Sequence, residues 1–176
     1  MFAYVDDIED IPKRPIDEDR AAFLQGFVDF DLLDDGDWQA RIGRQLIALG
    51  AGRLVDTRWG PNVLRSFDSA QVSGTIGRWD MRTFYSQVVE NRFGEFDNAT
   101  SGHEEFYGTY WTCPNLLLHS GSDDFKNGNQ SVQSNNVAGI DAYYLGYRIA
   151  IALFDAGPGA ESRHTLGTRL FGTRGS

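Results

Sequence analysis

The sequence YYLGYRIAIALF, residues 143–154, decides the fold. Its large apolar side chains stand at alternate positions, and mostly small residues stand between them. The first set is Leu145, Tyr147, Ile149, Ile151 and Leu153, and the second is Gly146, Arg148, Ala150 and Ala152. A period of two is typical of a β-strand. The face of small residues predicts that a second layer packs closely against the strand.

Working outward from this strand, the rest of the chain also favours β-structure. With 176 residues, 13% aromatic residues and 20 glycines, the composition indicates one domain of strands joined by tight turns. Further strands are predicted at 53–59, 70–79 and 106–121, and a final edge strand or tail at 166–175. A loop is predicted at 94–105, and Gly157-Pro158-Gly159 is predicted to end the strand at 143–154. Residues 81–93 fit a helix and a strand equally well.

Two short helices are predicted before these strands. Asp17 is a suitable N-cap for a helix over 17–27. A second helix over 38–49 is predicted because Trp38, Ile42, Leu46 and Leu49 would share one helix face. The predicted fold class is therefore α+β and mainly β: an extended acidic arm and one or two short helices, followed by a body that is an antiparallel sheet or is sandwich-like.

Charge divides the chain into an arm and a body. The formal net charge of −9 is concentrated in residues 1–37, which hold twelve acids against three bases. We expect residues 1–16 to form an extended acidic arm and residues 17–176 a single globular domain with a basic tail. The arm is predicted to bind a partner through its apolar side chains, Phe2, Tyr4, Val5, Ile8 and Ile11. The basic tail is predicted to bind a partner through Arg163, Arg169 and Arg174.

The composition also argues against several partners. A sequence pI near 4.7 and a balanced body give no basic face for nucleic acid. The N-terminus lacks the pattern of a signal peptide, and no apolar run approaches the roughly 20 residues of a membrane helix. These observations predict a cytoplasmic protein without a membrane partner.

No motif for catalysis, metal binding or a nucleotide cofactor stands out. His103, Glu104 and Glu105 are predicted to lie in a solvated loop, and the DDFKNGN segment at 123–129 is predicted to be a turn. Cys113, the single cysteine, is predicted to be a small buried hydrophobic residue. We therefore predict no catalytic residue, no cofactor and no metal site, and a protein that is not an enzyme.

An aromatic cluster at 106–111 supports an alternative function. Phe106, Tyr107, Tyr110 and Trp111 precede a polar loop predicted at 120–139. Exposed aromatic faces beside amide side chains would suit a carbohydrate- or receptor-binding module with a glycan ligand. Burial of these aromatic residues in the core is the favoured alternative.

Two resemblances extend this interpretation. The GYRIA segment at 146–150, after an Asn-rich loop, resembles the closing strand of formylglycine-generating-enzyme-like, C-type-lectin folds. That resemblance implies a ligand-binding surface on the 120–139 loop. The overall layout of arm, β-rich body and absent catalytic motif resembles small structural proteins of tailed bacteriophage virions. It implies a non-enzymatic head, neck or tail subunit, assembled in the host cytoplasm, whose partners are its own copies and other structural proteins.

Overall fold

The computed structural model describes residues 22–33, 36–56, 64–92, 95–114, 137–154 and 157–173. These residues form one antiparallel sheet of seven strands, and each strand pairs with the next in sequence. The strands are β1 (Gly26–Asp31), β2 (Trp38–Gln45), β3 (Phe67–Ile76), β4 (Trp79–Glu90), β5 (Ala99–Cys113), β6 (Val137–Phe154) and β7 (Gly157–Thr173). Within the described residues, β1 and β7 are the edge strands.

The strand register divides the side chains between two faces. Residues directly opposite each other in an antiparallel pair point to the same face, and neighbours along a strand point to opposite faces. Phe67 pairs with Val88, and Phe106 pairs with Ser86. We name the face that carries Phe67, Phe84 and Phe106 the inner face. The opposite face is the outer face.

The strand at 143–154 is confirmed as part of β6, but its neighbours differ from the prediction. Leu145 is buried on the inner face, while Gly146 lies on the outer face. The ring of Tyr107 from β5 covers Gly146 and would collide with any Cβ there. The described strands form a single antiparallel sheet, which confirms the mainly β class. The described residues contain no second sheet over β6, so the sandwich-like alternative is not found there. A side chain of the neighbouring strand fills the space that the glycine leaves.

The predicted helix at 38–49 is wrong, because residues 38–45 form β2. The segment WQARIGRQ alternates apolar and polar residues, which places Trp38, Ala40 and Ile42 together on the outer face. Gly43 adopts a φ of +134° and lies against the backbone of Gly26 and Phe27, where a Cβ would collide. Hydrogen bonds to both neighbouring strands satisfy the backbone N–H and C=O groups of β2. This outweighs the helical spacing of its apolar side chains.

Other predicted boundaries also need correction. The described part of 17–27 contains no helix: residues 22–25 have no regular structure, and β1 begins at Gly26. In place of the strand at 53–59, there is a turn and a single bridge between Leu49 and Val55. β5 occupies part of the predicted loop at 94–105, and Gly157 begins β7. The arm at 1–16 and residues 57–59 lie outside the described residues.

The apolar core lies on the inner face. The ring centroid of Phe106 is 5.8 Å from that of Phe67 and 5.1 Å from that of Phe84. The segment 46–56 covers this cluster, and its side chains Ile47 and Leu49 are only 2% and 4% exposed. Three consecutive residues with positive φ, at 50–52, turn this segment back on itself. The core is therefore formed between one face of the sheet and the β2–β3 connection.

No helix in the described part of the chain is long and apolar enough to span a bilayer.

Candidate functional site

The outer face carries exposed apolar side chains on five of the seven strands. Its exposed members are large side chains from both edges and from the middle: Val28, Phe30, Ile42, Ile76, Tyr85, Leu166 and Leu170. The exposed fraction reaches 83% for Leu166 on β7. Water-soluble monomers rarely expose a continuous apolar surface of this extent, so such a surface marks contact with a partner or a membrane.

Aromatic side chains are grouped in two parts of this apolar surface. On one side, Tyr85 stacks on Tyr107 with centroids 6.5 Å apart, and Tyr144 stacks on the imidazole ring of His164 at 6.0 Å. On the other side, toward the β3–β4 turn, lie three tryptophans of the outer face: Trp38, Trp79 and Trp111. Tyrosine and tryptophan favour positions where an apolar phase meets water.

A polar row follows on the outer face beyond the tyrosines. The register places Arg44, Asp68, Gln87, Glu105, Arg148 and Ser162 side by side on β2 to β7. Arg44 donates two hydrogen bonds to the Asp68 carboxylate, at 2.8 and 2.9 Å. Arg148 and Glu105 are 3.9 Å apart. The apolar surface therefore ends at a row of charged and polar groups.

The inner face is polar where the core cluster ends. Arg41 makes a forked contact with Asp29 at 2.6 and 2.8 Å, and its guanidinium lies 3.9 Å from the centroid of the Phe27 ring. An open pocket of about 450 Å³ lies alongside. Polar side chains of the inner face contribute to its lining: Gln39, Ser73, Asp80, Arg82, Tyr110 and Thr112.

A buried carboxylate organises the inner face between β5 and β7. The Asp141 side chain is 1% exposed and accepts hydrogen bonds from three neighbours. Tyr110 donates at 2.5 Å, Thr112 at 2.9 Å and the Arg169 Nε at 2.6 Å. A buried charge is stable only when it is paired and hydrogen-bonded. This network fixes three strands in one arrangement and neutralises Arg169.

The comparisons with known proteins identify the family. The family model described as alginate export matches residues 3–176, which is almost the whole chain. The chain belongs to the alginate export family. A comparison with curated proteins and with solved structures gives no match.

Membership of the alginate export family overturns the virion interpretation. Export is transport across a membrane, so the predicted phage resemblance, virion subunit function and virion or cytoplasmic location are wrong. The predicted absence of a membrane and the predicted virion partners are wrong for the same reason. The expectation that the chain is not an enzyme is confirmed, because the function of this family is transport.

The aromatic residues at 106–111 do not form one exposed surface for a glycan. Phe106 and Tyr110 are buried on the inner face, whereas Tyr107 and Trp111 lie half-buried on the outer face. Alternation along β5 therefore separates the four rings onto opposite sides of the sheet. Of the predicted loop at 120–139, residues 137–139 belong to β6 and the rest lie outside the described residues.

Two of the three predicted partner-binding arginines lie in β7. Arg163 pairs with Glu161, and Arg169 pairs with Asp141, both on the inner face. Arg174 lies outside the described part of the chain. The arm residues Phe2, Tyr4, Val5, Ile8 and Ile11 lie outside it as well.

The other candidate residues from the sequence lie in β5. His103, Glu104 and Glu105 lie in β5, so the predicted loop there is wrong. Cys113 is buried, as predicted. In the residues that the structure describes, no three His, Cys, Asp or Glu side chains are grouped so as to hold a metal ion.

Sequence reasoning missed the outer face as a whole. Its signal was present in the period-two alternation of β2 and β5, where Trp38, Ile42, Tyr107 and Trp111 alternate with polar or small residues. The sequence did not show which of the two alternating sets of side chains on each strand would be buried. Apolar residues on both sides of a strand look like two buried faces when no sheet pairing is known.

Proposed function

We propose that this sheet forms part of the wall of an outer-membrane channel that exports a polysaccharide. The outer face contacts lipid, and the inner face lines the path of the polymer. The observation that carries the proposal is the contrast between the faces: exposed apolar side chains outside, and ion pairs, hydroxyls and amides inside. Membership of the alginate export family supports transport as the activity.

Strand length is compatible with this assignment for β3 to β7, whereas β1 and β2 are shorter, with 6 and 8 residues. A tilted strand crosses the hydrocarbon core of a membrane with roughly 9–11 residues. β3 to β7 contain 10, 12, 15, 18 and 17 residues. The tyrosines and tryptophans of the outer face are the residue types that form the aromatic girdles of membrane-spanning sheets. β5 to β7 are long enough to extend beyond the bilayer.

The unpaired edges set a further requirement. Unsatisfied backbone groups are not tolerated in lipid, so a sheet that crosses a membrane must close on itself. Consecutive strands alternate in direction, so β1 and β7 run the same way. Antiparallel closure therefore requires an odd number of additional strands between the edges of the described sheet.

The inner face suits a hydrated polymer. Sugar hydroxyls exchange hydrogen bonds readily with hydroxyl, amide and guanidinium groups. The open pocket presents such groups on neighbouring strands, among them Gln39, Ser73, Thr112 and Arg82. Because Asp29 and Asp141 hold two other arginines, part of this surface keeps its geometry without a ligand.

The test has two parts. The full chain, reconstituted into planar bilayers, is expected to produce discrete conductance steps. In a Cys113→Ser background, single cysteines along residues 165–170 would carry an environment-sensitive fluorophore. We expect emission typical of lipid at 166, 168 and 170, and emission typical of water at 165, 167 and 169. Absence of conductance, or uniform aqueous emission along β7, would contradict the proposal.

A further inference from the structure

A small polar cluster lies on the outer face between β6 and β7, and the proposed channel leaves it without a role. Arg148 and Ser162 are directly opposite each other, and His164 is opposite Gly146, two residues closer to the apolar side chains of β7. The Arg148 side chain is 66% exposed, and Ser162 and His164 are exposed as well. The cluster therefore presents three hydrogen-bonding groups outward from two neighbouring strands.

Hydrogen bonds fix the geometry of this cluster in advance. The Nδ1 atom of His164 is 2.8 Å from the Tyr144 hydroxyl, and its Nε2 atom is 3.2 Å from the Ser162 hydroxyl. The imidazole ring also stacks on the Tyr144 ring. When the Tyr144 hydroxyl donates to Nδ1, the Nε2–H group donates to Ser162, and the Ser162 hydroxyl proton is free for a ligand. His164 thus holds a hydroxyl donor beside Arg148.

Arg148 is only weakly paired within the described residues. The carboxylate in contact with it, that of Glu105 on β5, is 3.9 Å away, which is too long for a hydrogen bond. Arg44 in the same polar row differs, because it donates two hydrogen bonds to Asp68 and is 15% exposed. The Arg148 guanidinium therefore keeps donors for an anionic ligand, and phosphate oxygens match the fork of these donors.

Exposed apolar side chains begin beside this cluster. On β7, Leu166 and Leu170 follow His164 by two and six residues, and they are 83% and 76% exposed. Leu170 is about 20 Å from His164 along the strand, or roughly 15 Å in depth for a strand tilted by about 40°. One leaflet of a bilayer contributes about 15 Å of hydrocarbon. The polar cluster and the two leucines therefore form a strip with the dimensions of one phospholipid.

We infer that Arg148 and Ser162 bind the phosphate of a membrane phospholipid, with the acyl chains along Leu166 and Leu170 and with His164 positioning Ser162. This inference rests on the proposed contact of the outer face with lipid. The guanidinium and the hydroxyl select phosphate oxygens. The adjoining leucines select acyl chains, because their burial under a lipid removes apolar surface from water.

The experiment is native mass spectrometry of the full chain in detergent with phosphatidylglycerol and, separately, with diacylglycerol of the same acyl chains. We expect phosphatidylglycerol to bind about fivefold more tightly, or better. Arg148→Gln should lower its affinity by roughly three- to tenfold, since a charge-assisted contact is lost at an exposed site. Glu105→Gln should raise the affinity about twofold, because it removes a carboxylate that competes with the phosphate.

Arg44→Gln is the matched control. Arg44 lies in the same row, but Asp68 already occupies its guanidinium, so the affinity for phosphatidylglycerol should not change. Equal affinity for the two lipids, or equal losses for Arg44→Gln and Arg148→Gln, would overturn the inference. Displacement of the lipid by millimolar inorganic phosphate would overturn it too, because the site would then bind free phosphate without acyl chains.

Conductance of the same samples in planar bilayers separates this inference from the channel proposal and shows that each variant has folded. A conducting protein that does not prefer phosphatidylglycerol to diacylglycerol would end the inference and leave the channel standing. A protein that does not conduct, with uniform aqueous emission along β7, would remove the proposed function and the inference with it.

Discussion

The two faces of this sheet use the same strands but place their apolar side chains in opposite environments. On the inner face, Phe84 and Phe106 are 3% and 9% exposed beneath the segment 46–56. On the outer face, Leu166 and Leu170 are 83% and 76% exposed. A sheet surrounded only by water would not leave large apolar side chains of one face exposed to this extent. The contrast teaches that the folded chain accounts for the inner face, whereas the outer face is left for a partner or a membrane to cover.

A second difference lies within the inner face itself. Toward the β2–β3 connection, the face is apolar and covered. Toward the β1–β2 and β3–β4 turns, it is polar and open, with Asp141 as its one almost fully buried charge. The covered part is a conventional core, and the open part lines the proposed path. The following changes test these contrasts.

The largest expected effect is in the covered core. Phe84→Ala should reduce the free energy of unfolding by about 3–5 kcal/mol, because it removes a buried ring and leaves a cavity against Phe106. Urea unfolding in detergent micelles would measure the loss. Phe30→Ala is the matched control, since Phe30 is 48% exposed on the outer face and its removal leaves no enclosed cavity. Equal losses for the two variants would show that the faces are packed alike.

The next effect depends on the surrounding medium. Leu166→Arg should destabilise the protein in bilayers by about 2–4 kcal/mol, because a guanidinium on the lipid face must be desolvated. The adjacent Thr165→Arg places the same group on the inner face, where it should cost little. The free energy of unfolding of both variants would be measured in lipid vesicles and in detergent micelles with a thin apolar core. A similar cost for both variants in vesicles would remove the evidence that the outer face contacts lipid.

The sequence predicted the strands where one residue pattern was unambiguous. β6 was recognised because five large residues alternate without interruption. β2 was mistaken for a helix because Trp38, Ile42, Leu46 and Leu49 also satisfy helical spacing, and only the pairing with β1 and β3 selects the strand. Alternation is a local property that can be read from a sequence. Strand pairing depends on residues that are distant in the chain, so it cannot be read in the same way.

The candidate site was less predictable than the fold. The lack of a long apolar run in the sequence excludes only membrane-spanning helices. The apolar side chains of the outer face come one or two at a time from separate strands, so they leave no such run. The partners of Arg163 and Arg169 were equally hidden: Asp141 is 28 residues from Arg169, and Glu161 is close to Arg163 in sequence but looked like part of a solvated tail. Two arginines that looked like a free basic tail are therefore paired with carboxylates on the inner face.

The smallest of these effects sharpens the comparison within the polar part of the inner face. Asp141→Asn should reduce the free energy of unfolding by about 1.5–3 kcal/mol. It removes the negative charge to which Tyr110, Thr112 and Arg169 donate hydrogen bonds, and the new amide NH₂ group would face one of these donors. The matched control is Glu105→Gln on the outer face, where the carboxylate is 3.9 Å from an exposed arginine and its loss should cost under about 0.5 kcal/mol. Urea unfolding of both variants at low and high salt gives the comparison. The Asp141 effect should persist at high salt, since burial limits screening, and the Glu105 effect should vanish. If the Asp141 variant were as stable as the Glu105 variant, the buried network would not be what holds β5, β6 and β7 in register.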